Sequence, residues 1–221
     1  MLNLALVKTR TVVGVQARPV TVEVHLTSGL PNFSIVGLPE TAIRESKDRV
    51  RSALINSQFE FPCRRITVNL APADLPKTGS GFDLPIAIGI LAASAQIPMT
   101  HLATHEFIGE LALDGQLRGI AAIIPAVLGA CVHHMQLIIP HDNAQEAAMT
   151  GLSGVWSAGN LREICAYLCE GVALRALPAR LEVQRVPEAL DWSDVKGQAH
   201  AKYALEIAAC GGHSVLLCGS P

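Results

Sequence analysis

The sequence predicts a mixed α/β domain of the α+β type, because strand-like and helix-like segments are interleaved along most of its 221 residues. Half of the residues are hydrophobic and 16% are charged, which is typical of a chain with a large buried core and excludes a disordered one. The pattern predicts one domain over residues 1–170, a linker over residues 171–190 and the start of a second domain over residues 191–221.

The first half of the predicted domain contains three strands and two helices. The strands are indicated by alternation of apolar and polar residues over residues 20–26, 33–36 and 66–70. The helices are indicated by apolar spacing over residues 39–57 and 82–95. The second helix is almost entirely apolar and is predicted to be buried, with Pro85 in its first turn, where the missing N–H needs no partner.

The second half begins with a hairpin over residues 107–120, in which Asp114-Gly115 supplies the positive φ angles of a tight turn. Helices are predicted at residues 123–134, 143–149 and 161–168. Strands are predicted at residues 137–139 and 155–156, the latter at the edge of the sheet. After the linker, the pattern predicts a helix over residues 198–209 and a short strand over residues 214–218.

Bulk properties limit the partners and the location. The net charge of −2 and the pI of about 6.4 exclude attraction of nucleic acid by the whole surface, so any such binding requires a local basic patch. No signal peptide or membrane span is visible, and six scattered cysteines are typical of reduced, mostly buried thiols. These features predict a cytoplasmic protein without a membrane partner.

The end of the sequence has the pattern of a nucleotide-binding loop. An apolar strand followed by Gly219-Ser220-Pro221 supplies the first three positions of a P-loop, whose lysine and magnesium-binding hydroxyl are not among the 221 residues. Upstream, Val195-Lys196-Gly197-Gln198 and the helix after it resemble the beginning of an AAA+ module, in which this segment lies beside the adenine. The predicted nucleotide-binding residues are Val195, Gly197, Gln198, Gly219, Ser220 and Pro221.

A set of motifs in the first domain resembles the ComM/YifB family, AAA+ proteins labelled magnesium chelatase-like. The motifs are Gly37-Leu38-Pro39, Glu45-Ser46 with Arg49-Val50-Arg51, residues 65–74, Gly79-Ser80-Gly81-Phe82-Asp83-Leu84-Pro85, Glu110-Leu111, Asp114-Gly115, Leu117-Arg118 and residues 194–198. They occur in the family's order, and the resemblance covers nearly the whole chain.

The resemblance implies a first domain similar to the Lon protease domain, with the ribosomal protein S5 domain 2-like fold. It also implies a bacterial hexameric motor that hydrolyses ATP with magnesium and drives DNA branch migration in natural transformation. For the 221-residue chain alone, it implies no catalysis, no bound cofactor and no tight binding of ATP, because half of the phosphate loop is missing.

Two other functions compete with the motor. A Lon-like serine–lysine peptidase needs a hydroxyl nucleophile and a lysine of lowered pKa within hydrogen-bond reach. The resemblance to Lon puts Gly81 at the serine position and Ile120 at the lysine position, so the pair is missing. Ser80 and Lys77 remain as a shifted pair, although no apolar surroundings are expected for Lys77. The second alternative is a subunit of a chelatase-type ATPase.

Candidate contacts to DNA are basic residues near the motifs: Arg44, Lys47, Arg51, Arg64, Arg65, Lys77 and Arg118. Arg44, Lys47 and Arg51 share one helix face and can neutralise phosphates. The spacing of Arg44 with Asp48, and of Glu45 with Arg49, equally fits a solvated face of ion pairs. The loop over residues 77–81 likewise fits either a turn that leads into the buried helix or a contact with nucleic acid or another subunit.

Overall fold

The computed structural model of the chain describes residues 3–37, 39–77, 79–178 and 191–219. The chain divides into two units, residues 1–181 and residues 182–221. None of the helices in these described ranges has the length and apolar character needed to cross a membrane.

The described part of the first unit interleaves strands and helices. Its strands are β1 (Leu4–Val13), β2 (Gln16–Thr27), β3 (Asn32–Val36), β4 (Arg65–Ala71), β5 (His105–Phe107), β6 (Glu110–Leu111), β7 (Leu117–Arg118), β8 (Gln136–Pro140), β9 (Val155–Ala158) and β10 (Arg175–Ala176). Its helices are α1 (Thr41–Asn56), α2 (Asp83–Ala93), α3 (Ile123–Val132), α4 (Ala144–Ala148) and α5 (Leu161–Glu170). In the second unit, α6 spans Ala199–Gly211.

Eight of the strands form one mixed sheet in the order β10-β9-β8-β5-β1-β2-β4-β3, and β6 and β7 form a separate hairpin. The strand β2 is antiparallel to both of its neighbours, β1 and β4, and β9 is antiparallel to β10. The other neighbours in the sheet, including β3 with β4 and β1 with β5, are parallel. The predicted mixed α/β class is therefore confirmed.

The core lies between one face of the sheet and the apolar helix α2, every residue of which is buried. Val20, Val22 and Val24 point to this face from β2, as the alternation in the sequence predicts. Gly89 allows the helix to approach the sheet closely, because a Cβ at this position would overlap the side chain of Val24. A helix that is apolar all round is consistent with this central position.

A buried ion pair joins β1 to β5. Arg10 Nε lies 2.5 Å from Glu106 Oε2, and Arg10 Nη2 donates to Glu106 Oε1 at 2.8 Å, with both side chains 3% exposed or less. Arg10 also donates from Nη1 to the carbonyl oxygen of Ala17 at 3.1 Å. Because Gly129 has no Cβ, α3 can pack directly against this guanidinium. The pair links β5 to β1, and removing either partner would leave an unpaired buried charge.

The structure corrects several sequence-based expectations. The strand β1 is not among those that the sequence pattern predicts, although it is central in the sheet. The strand predicted at 155–156 is not at the edge, because β10 pairs outside it, and β10 itself falls within the segment predicted as a linker. Residues 214–218 form no strand, because the described residues of the second unit provide no neighbouring strand to accept their hydrogen bonds. Residues 179–190, the remainder of the predicted linker, lie outside the described residues.

The six cysteines are all free, as expected, but their burial differs from the expectation. Cys165 is buried on α5, whereas Cys63, Cys169, Cys210 and Cys218 are exposed. Their exposure follows from their positions, which are loops and the last turns of helices rather than apolar helix faces.

Replacing Gly89 with alanine tests the close approach of α2. Alanine normally stabilises a helix interior by up to about 1 kcal/mol relative to glycine. Here we expect destabilisation by about 1–3 kcal/mol, because the added methyl group overlaps Val24. Urea denaturation of Gly89→Ala measures the sign, and a stabilising effect would contradict the packing described here.

Candidate functional site

The two positions that the Lon resemblance assigns to a catalytic serine and lysine lie next to each other. A Cβ built on Gly81 would lie 3.5 Å from Ile120 Cδ1 and 3.2 Å from Ile108 Cγ1. Gly81 is anchored by its carbonyl oxygen, which accepts a hydrogen bond from the Gly109 amide at 3.0 Å. The fold therefore brings the two positions into contact, although α2, β5 and the hairpin lie between them in the sequence.

The side chains at this site cannot perform peptidase chemistry. A serine–lysine mechanism needs a hydroxyl and an amine within hydrogen-bond reach of each other. Gly81 has no side chain and Ile120 has no titratable group, so the position of the pair is kept without its nucleophile or base. The backbone of Ile120 is held by Asn143, which accepts from the Ile120 amide and donates to the Ile120 carbonyl, both at 2.9 Å.

Family motifs that are distant in sequence meet at a junction of α1, α2 and the hairpin. Arg49 donates from Nε to Asp83 Oδ2 at 2.7 Å and from Nη2 to Asp83 Oδ1 at 3.0 Å. The Leu111 amide donates to the same Oδ2 atom at 3.2 Å. Asp83 is fully buried, whereas the Arg49 side chain is 23% exposed. The carboxylate thus links three elements and has no access for a substrate.

The electrostatics of this junction are dominated by burial. Burial raises the pKa of Asp83 to about 6, although the Arg49 guanidinium and the Leu111 amide lower the pKa in part. The hydrogen bond to Asp83 raises the pKa of Arg49. A raised pKa in a cleft often marks a catalytic acid. Because Asp83 is closed to solvent and already bonded to three donor groups, we interpret the shift as the consequence of a structural ion pair.

The hairpin connects this junction to α5. Gly115 has a φ of +87°, and a Cβ there would overlap the Ser57 hydroxyl at the end of α1. Its carbonyl oxygen accepts from the Leu161 amide at 3.0 Å. Across the hairpin, Arg118 Nη1 lies 3.6 Å from Glu110 Oε1. The Asp114-Gly115 motif is therefore used to pack the turn against α1 and the start of α5.

The candidate DNA contacts separate into several groups. Arg51, Arg64 and Arg65 are exposed, and the Arg51 guanidinium carbon lies 5.0 Å from the centre of the Phe61 ring. Lys47 is half-buried on α1, and Arg118 is 64% exposed in the hairpin. The side chain of Arg44 lies outside the described part of the chain. Arg49, whose spacing predicts a pair with Glu45 on the helix surface, directs its guanidinium to Asp83, and the charge of Glu45 also raises the pKa of Arg49.

Comparison with known proteins agrees with these motifs. A family model described as subunit ChlI of Mg-chelatase matches residues 22–143, and one described as magnesium chelatase, subunit ChlI, matches residues 191–221. The competence protein ComM of Haemophilus influenzae is 49% identical over 227 residues, which cover 100% of this chain and 44% of that protein. This chain belongs to the ComM/YifB family. YifB of Escherichia coli is 47% identical over 222 residues, covering 100% of this chain, and YifB of Salmonella typhimurium is 46% identical over 220 residues, also covering 100% of it.

The chain spans less than half of the length of these ComM and YifB relatives, 43–44% in each case. Its second unit corresponds to the part matched by the second family model. There, Gly197 and Gln198 have positive φ angles of +70° and +55°, which turn the backbone sharply before α6. Lys202 Nζ donates to the Val195 carbonyl at 2.6 Å and holds this turn on the first part of the helix.

Of the predicted phosphate-loop residues Gly219, Ser220 and Pro221, the structure describes only the first. Gly219 is exposed at the end of the described range, and Ser220 and Pro221 lie outside it. Among the described residues, no group of three or more His, Cys, Asp or Glu side chains is placed to hold a metal ion.

Lys77 is the candidate DNA contact that is buried, whereas the arginines Arg51, Arg64 and Arg65 of this ComM/YifB domain are exposed. It is fully buried, and its Nζ donates to the carbonyl oxygen of Pro72. Burial lowers the pKa of Lys77, contrary to the expectation of an open loop, while Asp74 acts in the opposite direction. Among the described residues, no hydrogen bond joins Lys77 to Ser80, so this pair lacks the geometry of a shifted peptidase site.

Several residues that organise this site in the ComM/YifB chain are not marked by any motif in the sequence. Asn143 holds Ile120, and Ser57 packs beneath the hairpin turn. Phe61 lies beneath Arg51 and is 6.1 Å from Phe33, measured between ring centres. The phenylalanines Phe59 and Phe61, a few residues before Arg64 and Arg65, were the available signal for the last group, and only the fold brings Arg51 to Phe61.

The raised pKa of Asp83 predicts a specific dependence of stability on pH. Between about pH 4 and pH 6 the folded state binds a proton that the unfolded state releases. The contribution of Asp83 is therefore fully present below about pH 4 and is lost as the pH rises through 6. We expect the unfolding free energy of the wild type, minus that of Asp83→Asn, to fall by about 2–3 kcal/mol from pH 4 to pH 7.

The difference in unfolding free energy between the wild type and Asp83→Asn is measured by tryptophan fluorescence during urea denaturation, which follows the unfolding of the first unit. The chain has two tryptophans, so a Trp192→Phe background assigns the signal to Trp156, which packs against the core. A difference that increases with pH would contradict the account, because the pairing with Arg49 would then outweigh the effect of burial.

Proposed function

We propose that the chain is the non-catalytic N-terminal part of a ComM-like, ATP-driven DNA motor. In the intact protein, this motor is a cytoplasmic hexamer that migrates branch points during recombination or natural transformation. The proposed organisation is a Lon-like domain over residues 1–170, a linker over residues 171–190 and the start of an AAA+ module over residues 191–221.

The contact between Gly81 and Ile120 carries this proposal. It supports a domain that has kept the arrangement of a Lon-like site and has a glycine and an isoleucine where the peptidase would have its serine and lysine. A domain without its own chemistry is consistent with a role in positioning a substrate or a neighbouring subunit for the ATPase. The similarity to a protein named for competence, ComM of Haemophilus influenzae, is consistent with DNA as that substrate.

The residues of the second unit fit the nucleotide side of the proposal. The sharp turn at Gly197 and Gln198 suits the position beside the adenine that the AAA+ resemblance gives this segment. Gly219, Ser220 and Pro221 would begin the loop around the phosphates, where backbone amides provide positive potential. When bound, ATP with magnesium supplies the free energy of its hydrolysis for movement along DNA.

The family models named for Mg-chelatase favour a second candidate, the ATPase subunit of a metal-inserting complex. The two candidates share the ATPase and differ in what it drives. Since one fold serves many functions, the substrate decides between them.

The full-length protein provides the test. We expect ATP hydrolysis that increases with four-way-junction DNA, ATP-dependent migration of the junction, and no turnover of casein. For the 221-residue chain alone, we expect no ATP hydrolysis and no tight, magnesium-dependent binding of ATP.

Two results would overturn the proposal. Casein turnover that is lost in Ser80→Ala would identify a peptidase. ATP hydrolysis that is indifferent to DNA and coupled to magnesium insertion into a porphyrin would identify a chelatase subunit.

A further inference from the structure

Arginine and phenylalanine side chains lie close together near the β3 edge of the sheet. The Arg51 guanidinium on α1 lies 5.0 Å from the centre of the Phe61 ring, and Phe61 lies 6.1 Å from Phe33 on the edge strand β3. Arg64 and Arg65 come after Phe61 in the chain, separated from it by Pro62 and Cys63, and are exposed. We call Phe33, Arg51, Phe61, Arg64 and Arg65 the basic–aromatic patch.

The segment that carries most of this patch is held firmly. Gln96 accepts from the Glu60 amide and donates to the Glu60 carbonyl, both at 2.9 Å. Arg65 is paired in β4, opposite Asn32 of β3 and Thr27 of β2. Because the backbone is fixed on both sides of Phe61, little conformational entropy is lost when a ligand binds there.

A cleft of about 390 Å³ opens beside the patch. Glu60, Pro62 and Arg64 line it on one side, and Gln96 and Met99 line it on the other. Arg64 thus belongs both to the cleft and to the patch. The cleft has the size of a small-ligand site and is large enough for a nucleobase that has left its stack.

We propose that the basic–aromatic patch binds single-stranded nucleic acid, with phosphates at Arg64 and Arg65 and a base stacked on Arg51 above Phe61. Single-stranded binding sites combine basic groups along the backbone with flat groups on which unstacked bases lie. A duplex hides its base faces and would use only the charges. The inference rests on the proposed function, since a motor that migrates branch points exposes single strands.

The charges at the patch favour a polyanion over other partners. Glu60 is the acidic residue within the segment over residues 60–65, against two arginines of that segment and Arg51 from α1. Two neutralised phosphates, at Arg64 and Arg65, give a slope of about −1.4 for log K against log salt concentration on a single strand. The binding is independent of base sequence, because stacking and phosphate contacts use features that all nucleotides share.

Fluorescence anisotropy with labelled oligo(dT) of about 15 nucleotides, at low salt, tests the inference on the 221-residue chain. Arg51→Lys keeps the charge but removes the flat group, and Phe61→Leu keeps an apolar side chain in the core contact but removes the ring. We expect each variant to weaken binding by about fivefold or more, as loss of one stacked base does. Arg175→Ala is the matched control, because this exposed arginine lies on β10 at the opposite edge of the sheet. It should leave the affinity unchanged.

The outcomes separate this inference from the proposed function. Equal affinities of Arg51→Lys, Phe61→Leu and the wild type would overturn it, as would a preference for duplex of the same length. Binding of poly-glutamate as tight as that of oligo(dT) would identify a contact surface for acidic protein instead. None of these results bears on the proposed function, which is tested separately by DNA-stimulated ATP hydrolysis of the full-length protein.

Discussion

The ion pair between Arg49 and Asp83 is the interaction on which the arrangement of the site depends. Asp83 lies at the first residue of α2, and its carboxylate ties that helix to α1 through Arg49 and to the hairpin through the Leu111 amide. The position of Gly81 follows from the position of α2, and the position of Ile120 follows from the hairpin. If the pair were lost, a buried charge without a partner would remain at the centre of this junction.

The same junction explains why the family motifs lie so far apart in the sequence. Residues of Arg49-Val50-Arg51, of Phe82-Asp83 and of Glu110-Leu111 contact one another in three dimensions, and Asp114-Gly115 packs the hairpin against the end of α1. These residues serve the scaffold, whereas the position of a peptidase pair is occupied by Gly81 and Ile120.

Much of the fold could be predicted from local patterns, because the alternation in β2 and the continuous apolar run of α2 each match the way the element is buried. Contacts between distant residues could not. The segment of β1 contains Lys8 and Arg10, which obscure its alternation, and Arg10 is buried only because Glu106 neutralises it. Lys77 looked like a loop lysine, although the fold buries it. The patch around Phe61 required Arg51 to approach from another element.

A double-mutant cycle on Arg49 and Asp83 tests the structural role of the motifs most directly. Unfolding free energies are measured by urea denaturation at about pH 7.5 for Arg49→Met, Asp83→Leu and the double variant, where the carboxyl is ionised in the wild type. The account predicts that each single change costs about 3 kcal/mol or more and that the double variant recovers more than about 1 kcal/mol of their sum. Additive effects, without coupling, would contradict it.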